Sequence, residues 1–153
     1  MIIRQFQRGD EAALRALFHA SVHGLASQHY TRAQLQAWAP GHYDGARWAQ
    51  RMAANRPYIA MVGADFAGFA DVQPSGYIDH FFVSPAYARQ GVGTALMTQL
   101  LRTASERGTG LLSSNVSLAA QPLFQKFGFV VVTKNQVVIN DVALENATMQ
   151  LAL

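Results

Sequence analysis

The run Tyr77-Ile78-Asp79-His80-Phe81-Phe82-Val83 leads into Ser84-Pro85-Ala86-Tyr87-Ala88-Arg89-Gln90-Gly91-Val92-Gly93, and a helical pattern then continues to Gly108. It reads as a strand, a short basic loop and a helix start. Such a junction leaves backbone N–H groups unpaired at the helix N-terminus, and together with the helix dipole they favour an anion such as a phosphate. Glycines at 91 and 93 remove the Cβ atoms that would hold a phosphate away from that backbone.

The flanking chain supplies elements for this junction to pack on. Ile2 to Phe6 forms a first strand, Asp10 stands where an N-cap belongs, and Ala13, Leu14, Leu17, Phe18 and Val22 mark a helical apolar face that Gly24 ends. Thr31 with Gln34 is a capping-box pattern for a second helix through Trp38, stopped by Pro40 and Gly41. Asp44 caps a third helix, Gly45 to Asn55. Tyr58 to Val62 and Phe66 to Val72 form a hairpin through Gly63-Ala64-Asp65, and Pro74-Ser75-Gly76 turns the chain into Tyr77 to Val83, a third antiparallel strand. Val92, Leu96, Met97, Leu100, Leu101 and Ala104 trace the face of the next helix. Leu111 to Val116 then makes a right-handed crossover with parallel strands. A short helix within Leu118 to Phe127 admits Pro122 only in its first turn. Phe129 to Lys134, Val137 to Asn140 and Ala143 to Leu151 supply the last strands, with Asn140-Asp141 as a turn.

Of 153 residues, 50% are hydrophobic and 14% charged, which excludes disorder and gives one domain, 1–153, with its own core. The net charge of +3 is spread along the chain without a clustered basic patch, so no nucleic-acid partner is expected. There is no cysteine, hence no thiolate nucleophile and no thiolate metal site. No apolar run is long enough to span a membrane, and the expected location is cytoplasmic.

The order of elements and the motif residues resemble the GNAT superfamily of acetyl-CoA-dependent N-acetyltransferases. The loop is similar to that family's Gln/Arg-x-x-Gly-x-Gly/Ala signature, with Gly91 and Gly93 in its glycine positions. The segment Ala120 to Phe129, ending in Gly128-Phe129, resembles the family's second cofactor segment. The resemblance implies an α/β (α+β) fold: a mixed, mostly antiparallel sheet flanked by helices, with a parallel, splayed strand pair forming the cofactor cleft. It implies acetyl-CoA as co-substrate. The backbone of Phe81, Phe82 and Val83 would pair with the pantetheine arm, and Arg89, Gln90, Gly91, Val92, Gly93 and Thr94 would cradle the pyrophosphate. A main-chain N–H near Phe81 to Val83 would stabilise the oxyanion, worth about 3 to 4 kcal/mol per donor. Ala88 departs from the usual Gln or Arg, Ser117 stands where many members have an Asn on the cofactor, and Phe124 replaces a Tyr that protonates the departing thiolate. A CoA thiol is a good leaving group near neutral pH, so transfer without that acid is chemically feasible.

The acceptor is a small-molecule or peptide amine, and a homodimer is compatible with this reading. An amine is protonated at pH 7, so attack on a thioester needs a base. Asp79 is the only acid of the central strand, and period-two alternation sets it on one face with Tyr77 and Phe81, opposite His80. The plainer alternatives are a solvent-edge Asp paired with an Arg, and a core histidine. His23, Tyr30 and Trp38 belong to an aromatic-rich stretch that the resemblance places on the acceptor side, where packing competes with substrate contact as the explanation. His19 and His23 share a helix face, but no acid or thiolate nearby completes a metal site. Ser113, Ser114 and Asn115 either line the acceptor cleft or face solvent. A dinucleotide-binding oxidoreductase is a rival reading of Gly91-x-Gly93, weakened by Leu96 in place of a third glycine. A catalytically weak acyl-CoA sensor of the same fold is the non-enzymatic rival.

Overall fold

The computed structural model describes residues 1–153. Four strands, β1 (Ile2–Gln5), β2 (Tyr58–Val62), β3 (Asp65–Ala70) and β5 (Phe81–Val83), form one antiparallel sheet in the order β1-β2-β3-β5. A second sheet has the order β4-β6-β8-β7, from β4 (Tyr77–Ile78), β6 (Leu111–Ser117), β7 (Val130–Ile139) and β8 (Val142–Ala152). Only β4 and β6 pair in parallel. Because β4 and β5 are one run of chain, the two sheets join at Asp79-His80 and diverge beyond it. Ser114 Oγ donates to the Ile78 carbonyl at 2.8 Å, a last stitch before the strands part.

Helices cover both faces. Helix α4 (Val92–Glu106) buries Val92, Leu96, Met97 and Leu100 against one face, where Phe124 and Phe129 join them. Helix α5 (Gln121–Lys126) lies on that side with Pro122 in its first turn, as its sequence requires. The other face carries α1 (Glu11–Leu25), α2 (Arg32–Trp38) and α3 (Gly45–Asn55), whose Leu14, Phe18, Val22, Trp48 and Met52 pack on Ile59 and Phe69. Each such side chain contributes about 2 kcal/mol by leaving water. The capping box of α2 forms as expected: Gln34 N–H donates to Thr31 Oγ1 at 3.2 Å, and Thr31 N–H to Gln34 Oε1 at 2.8 Å. Asp44 accepts from Arg47 N–H at 3.1 Å and caps α3.

Several sequence expectations are corrected. Tyr77 to Val83 is not one strand but two short ones in different sheets. Alternation fails with it, so Asp79 lies beside His80 in a polar cleft while Phe81 turns to the opposite core against Phe124. Gly24 does not end α1, which runs to Leu25. A Cβ at Gly24 would come within 2.8 Å of Pro85 Cγ, so this glycine serves close packing against the turn Pro85–Tyr87. Asp10 does not cap α1 with its side chain. It accepts from Arg4 at 2.8 and 3.0 Å and from Gln7 N–H at 2.8 Å, tying β1 to the helix start. The two strands expected over Phe129 to Asn140 are one, β7, with a register shift between Val131 and Thr133. Asn135 Nδ2 donates to Asn146 Oδ1 at 3.0 Å and Thr148 Oγ1 at 2.9 Å, which keeps this polar residue in the ladder.

Gly76 sets the entry into β4 with φ +90°, and a Cβ there would lie 2.1 Å from the Leu111 carbonyl oxygen. Gly76→Ala is therefore expected to destabilise the protein by at least about 2 kcal/mol in urea unfolding, since the new methyl meets backbone that cannot move aside. An unchanged midpoint would contradict that placement.

Candidate active site

The divergence of β5 from β6 leaves an edge. Asp71 N–H donates to the His80 carbonyl at 3.1 Å and Ser84 N–H to the Ala67 carbonyl at 2.8 Å, so residues 80, 82 and 84 direct their main chain at β3. By strand alternation the main-chain groups of Phe81 and Val83 face the other way, toward β6, which pairs with this chain no further than Ile78. Between the strands lies an apolar slot of ≈ 150 Å³ lined by Val22, Leu25, Phe81, Val83, Ser117 and Leu123, among others. Leu123, not Phe124, presents the α5 side chain here. Phe124 is 1% exposed and packs edge-on against Phe81 at 5.3 Å and Phe129 at 4.9 Å, a core position.

The N-terminus of α4 opens nearby. The first N–H with a helical partner is that of Ala95, which donates to the Gly91 carbonyl at 3.0 Å, and no side chain caps the helix. The N–H groups of Val92, Gly93 and Thr94 are thus left for an external acceptor. Gly91 and Arg89 curl the loop with φ +84° and +60°. The two glycines have different structural reasons. Gly91 has open space around a Cβ but needs its positive φ, whereas a Cβ on Gly93 would come within 2.9 Å of Leu123 Cδ2. Arg89 and Gln90 are exposed, and the Val92 side chain is core, so only its main chain can reach a ligand.

At the strand break sits Asp71, 1% exposed. Its carboxylate accepts from Asp79 N–H at 2.9 Å, His80 N–H at 3.1 Å and Gln73 Nε2 at 3.2 Å, and lies 3.1 Å from His80 Nδ1. A side chain thus replaces the neighbouring strand where the backbone turns away. Facing a carboxylate, which only accepts, Nδ1 of His80 is the donor of this contact. Asp79 accepts from Asn55 Nδ2 at 2.8 Å and pairs with Arg51 at 3.0 Å. Burial pushes its carboxyl up, but His80, the Asn55 amide and the Arg51 guanidinium outweigh that and hold it below the usual carboxylate range. One oxygen or nitrogen from each of Asp71, Asp79 and His80 falls within 4.8 Å of the others. The donors aimed at Asp71 fill its lone pairs and make the cluster a hydrogen-bond network, not a cation site.

Asp79 and His80 line a polar cleft of ≈ 640 Å³ walled by α1 and α3. Trp38 and Phe82 border both this cleft and the apolar slot, so the two meet at these rings. Asn115 also lines the cleft, whereas its neighbour Ser114 is spent on the stitch to β4. His23 lies elsewhere: its Nε2 is 2.8 Å from the Ala39 carbonyl and ties α1 to the end of α2. Tyr30 is buried, which pushes its phenol up and keeps it a hydroxyl. It donates to the Glu145 carbonyl at 2.6 Å and accepts from Leu118 N–H at 3.0 Å, pinning β8 to the end of β6. Sequence reasoning missed Asp71, Asn55 and Arg51. An acid between Ala70 and Val72 in an apolar strand was the available signal for Asp71; Asn55 and Arg51, on a helix distant in sequence, gave none.

Splayed strands, an apolar slot and an uncapped helix N-terminus together form a cleft suited to an extended chain that ends in a phosphate. A family model described as an acetyltransferase (GNAT) domain matches residues 26–151. The uncharacterized N-acetyltransferase YafP of Escherichia coli (strain K12) is 37% identical over 135 residues, covering 88% of this chain and 85% of YafP. A crystal structure of a GCN5-related N-acetyltransferase from Rhodopseudomonas palustris matches with TM-score 0.95 at 34% identity, over 99% of this chain and 95% of that one. A putative acetyltransferase of Salmonella typhimurium, solved with its cofactor acetyl-CoA, shares the fold with TM-score 0.73 at 19% identity, over 99% of this chain and 93% of that one. The chain belongs to the GNAT acetyltransferase family, so the enzyme class and the acetyl-CoA co-substrate implied by its motifs stand, and the oxidoreductase reading falls. No helix is long and apolar enough to cross a membrane.

Two outcomes follow from the strand-break network. Asp71→Asn offers one acceptor oxygen where two are engaged and turns an amide N–H₂ on backbone donors, so it should cost about 3 kcal/mol of stability in urea unfolding. A loss under 1 kcal/mol, within the range of ordinary surface substitutions, would deny the carboxylate its structural part. Asp79 is held below its ordinary 3.8, so its contribution is complete above that value and is lost as pH falls through the lower folded-state value. The stability advantage of the native chain over Asp79→Asn should therefore be constant near neutrality and shrink below about pH 4; an advantage independent of pH would contradict the pairing.

Proposed function

We propose that the protein moves the acetyl group of acetyl-CoA directly to a primary amine, with both substrates bound at once in the joined clefts of one domain spanning residues 1–153. The observation that carries this reading is the meeting of the apolar slot, edged by Phe81 and Val83, with the polar cleft that holds Asp79, across Trp38 and Phe82. Acetyl-CoA supplies an acyl group already activated as a thioester. The chain contains no cysteine to take that group covalently, which favours direct attack.

Each residue has a physical task in this reading. The exposed main-chain edge of Phe81 and Val83 accepts a pantetheine arm as a sheet edge accepts a strand, with Ser117 and Leu123 on the far wall. Phe82 contributes its ring, because its main chain is taken up by β3. The open N–H groups of Val92, Gly93 and Thr94, with Gly91 shaping the turn and Arg89 and Gln90 on the loop, hold the pyrophosphate. A main-chain N–H of Phe81 or Val83 donates to the thioester oxygen as charge develops there, a contribution of about 3 kcal/mol. Asp79, ionised at neutral pH, draws the ammonium of the acceptor into the cleft beside Phe82. The amine, having given one proton to water, attacks the thioester carbon. Asp79 takes the second proton from the nitrogen of the tetrahedral adduct, made acidic by the new C–N bond, as the C–S bond breaks and CoA leaves as its thiolate. His80 and Asn55 fix the carboxylate, and Trp38 forms the wall the acceptor passes.

Release of free thiol from acetyl-CoA over a panel of amines tests the activity. Initial rates against both substrates should give intersecting lines, and parallel lines would instead require a covalent acetyl-enzyme. Asp79→Asn should lower kcat about a hundredfold while acetyl-CoA affinity changes by less than about threefold. Equal turnover in the variant would remove Asp79 from the proton transfer.

A further inference from the structure

Arg15 is a half-buried cation on the wall of the polar cleft with no carboxylate beside it. Its guanidinium carbon lies 4.3 Å from the ring centre of Tyr43, 5.0 Å from that of Phe18 and 5.2 Å from that of Trp48. Its one hydrogen bond within the protein runs from Nη2 to the Pro40 carbonyl at 3.0 Å. No buried polar side-chain atom in the protein lacks a partner, so the N–H donors of Arg15 that have none are solvent-accessible, on a residue that lines the cleft. The other charges of the cleft are differently placed. Arg51 is paired with Asp79, Asp44 caps α3 through Oδ1, and Arg47 is exposed at the rim. Burial already pushes the Arg15 guanidinium down from its ordinary value, a sign that water is partly removed and not replaced by an anion. Aromatic faces offset part of that desolvation, about 1 kcal/mol each, but leave the planar fork of donors unused.

The position of that fork relative to Asp79 gives it a use. Phe18 stacks on Arg15 and meets Phe82 edge-on at 4.8 Å, while Trp48 stacks on Arg15 and meets His80 at 5.6 Å. One layer of aromatic rings thus separates the unpaired cation from the mouth of the slot and from the Asp71–His80–Asp79 network. We propose that the polar cleft selects amines that carry an anionic group, a carboxylate or a phosphonate, which Arg15 binds through its free donors while the amine lies at Asp79. The acceptor of the acetyl group is then a zwitterion of amino-acid type, its amine and its anion spaced to pass the edge of that ring layer. The positive end meets Asp79, with which Arg51 also pairs, and the negative end takes Arg15, so the one half-buried cation of the cleft without a carboxylate gains one. Arg47 at the rim adds a diffuse attraction for the same anion.

This inference rests on the acetyl transfer proposed above, and its test separates the two. Thiol release would be measured for amino acids with one to about five carbons between amine and carboxylate, for their carboxamides and for the matching aminophosphonates, with the native chain, Arg15→Gln and Arg15→Lys. The native enzyme should favour the acid over its carboxamide at least about tenfold in kcat/KM, as expected for hydrogen bonds to a charged group. The carboxylate and phosphonate arms tell which anion is the better fit. Arg15→Gln should bring acid and carboxamide within about threefold of each other with the acetyl-CoA KM unchanged, and Arg15→Lys should keep part of the preference. A purely structural Arg15 would lower both substrates alike, which overturns the proposal. Equal or better turnover of the carboxamide by the native chain also overturns it, and needs no variant. If acetyl-CoA binds and no amine of any charge is acetylated, the transfer reading itself fails, and the anion subsite with it.

Discussion

Asp71 occupies the one place where a strand leaves its sheet, and the rest of the site depends on how that departure is satisfied. A main chain that turns away from its neighbour exposes two N–H groups, and burying them unpaired would cost several kcal/mol. The Asp71 carboxylate takes both, at Asp79 and His80, and so stands in for a strand. Because the break is held this way, Tyr77–Ile78 can pair with β6 while Phe81–Val83 pairs with β3. The slot between the two sheets is the space this leaves. The same interaction fixes Asp79 and His80 on the cleft wall, a few residues before Phe82, where cleft and slot meet.

The aromatic shell on the other side of the break has a related logic. Phe18, Trp48, Phe69 and Phe82 pack stacked, edge to face or tilted around His80 and one another, giving a rigid wall with few rotamers to lose. Rigid rings can hold polar groups at fixed separations that flexible aliphatic residues could not. Arg15 lies against one side of that shell and the Asp71–His80–Asp79 network against the other. A cleft built in this way has one wet, charged mouth and one dry exit toward the slot, a division that suits an amine travelling toward a thioester.

Much of this was legible in the sequence. Periodicity located the five α-helices, capping residues the starts of α2 and α3, and Gly91-Val92-Gly93 at a strand–helix junction the uncapped start of α4, whereas the short 3-10 turn Pro85–Tyr87 was expected as loop. Alternation failed at Asp79-His80, because it assumes a continuous strand and the break is made by Asp71, a side chain eight residues earlier whose partner could not be read from spacing alone. Gly24 misled as a stop because its small size answers Pro85, a contact across 61 positions of sequence that no local pattern reports. The resemblance set His23 and Tyr30 on the acceptor side, and in the folded chain the polar atoms that they contribute bond main-chain groups and tie elements together. Trp38 did reach the cleft. The pairing of Arg51 with Asp79 and the isolation of Arg15 are products of α1 and α3 packing side by side, and only the folded chain displays them.

The central claim is that the edge of Phe81 and Val83 and the open start of α4 together receive acetyl-CoA. Residue-resolved amide hydrogen exchange, recorded with and without saturating acetyl-CoA, tests it most directly. The account predicts new protection at Phe81 or Val83 and at Val92, Gly93 and Thr94, with none added at Phe82, whose main chain already pairs with β3. Protection confined to other segments, or gained at Phe82 while Phe81, Val83 and the α4 start stay unchanged, would contradict it.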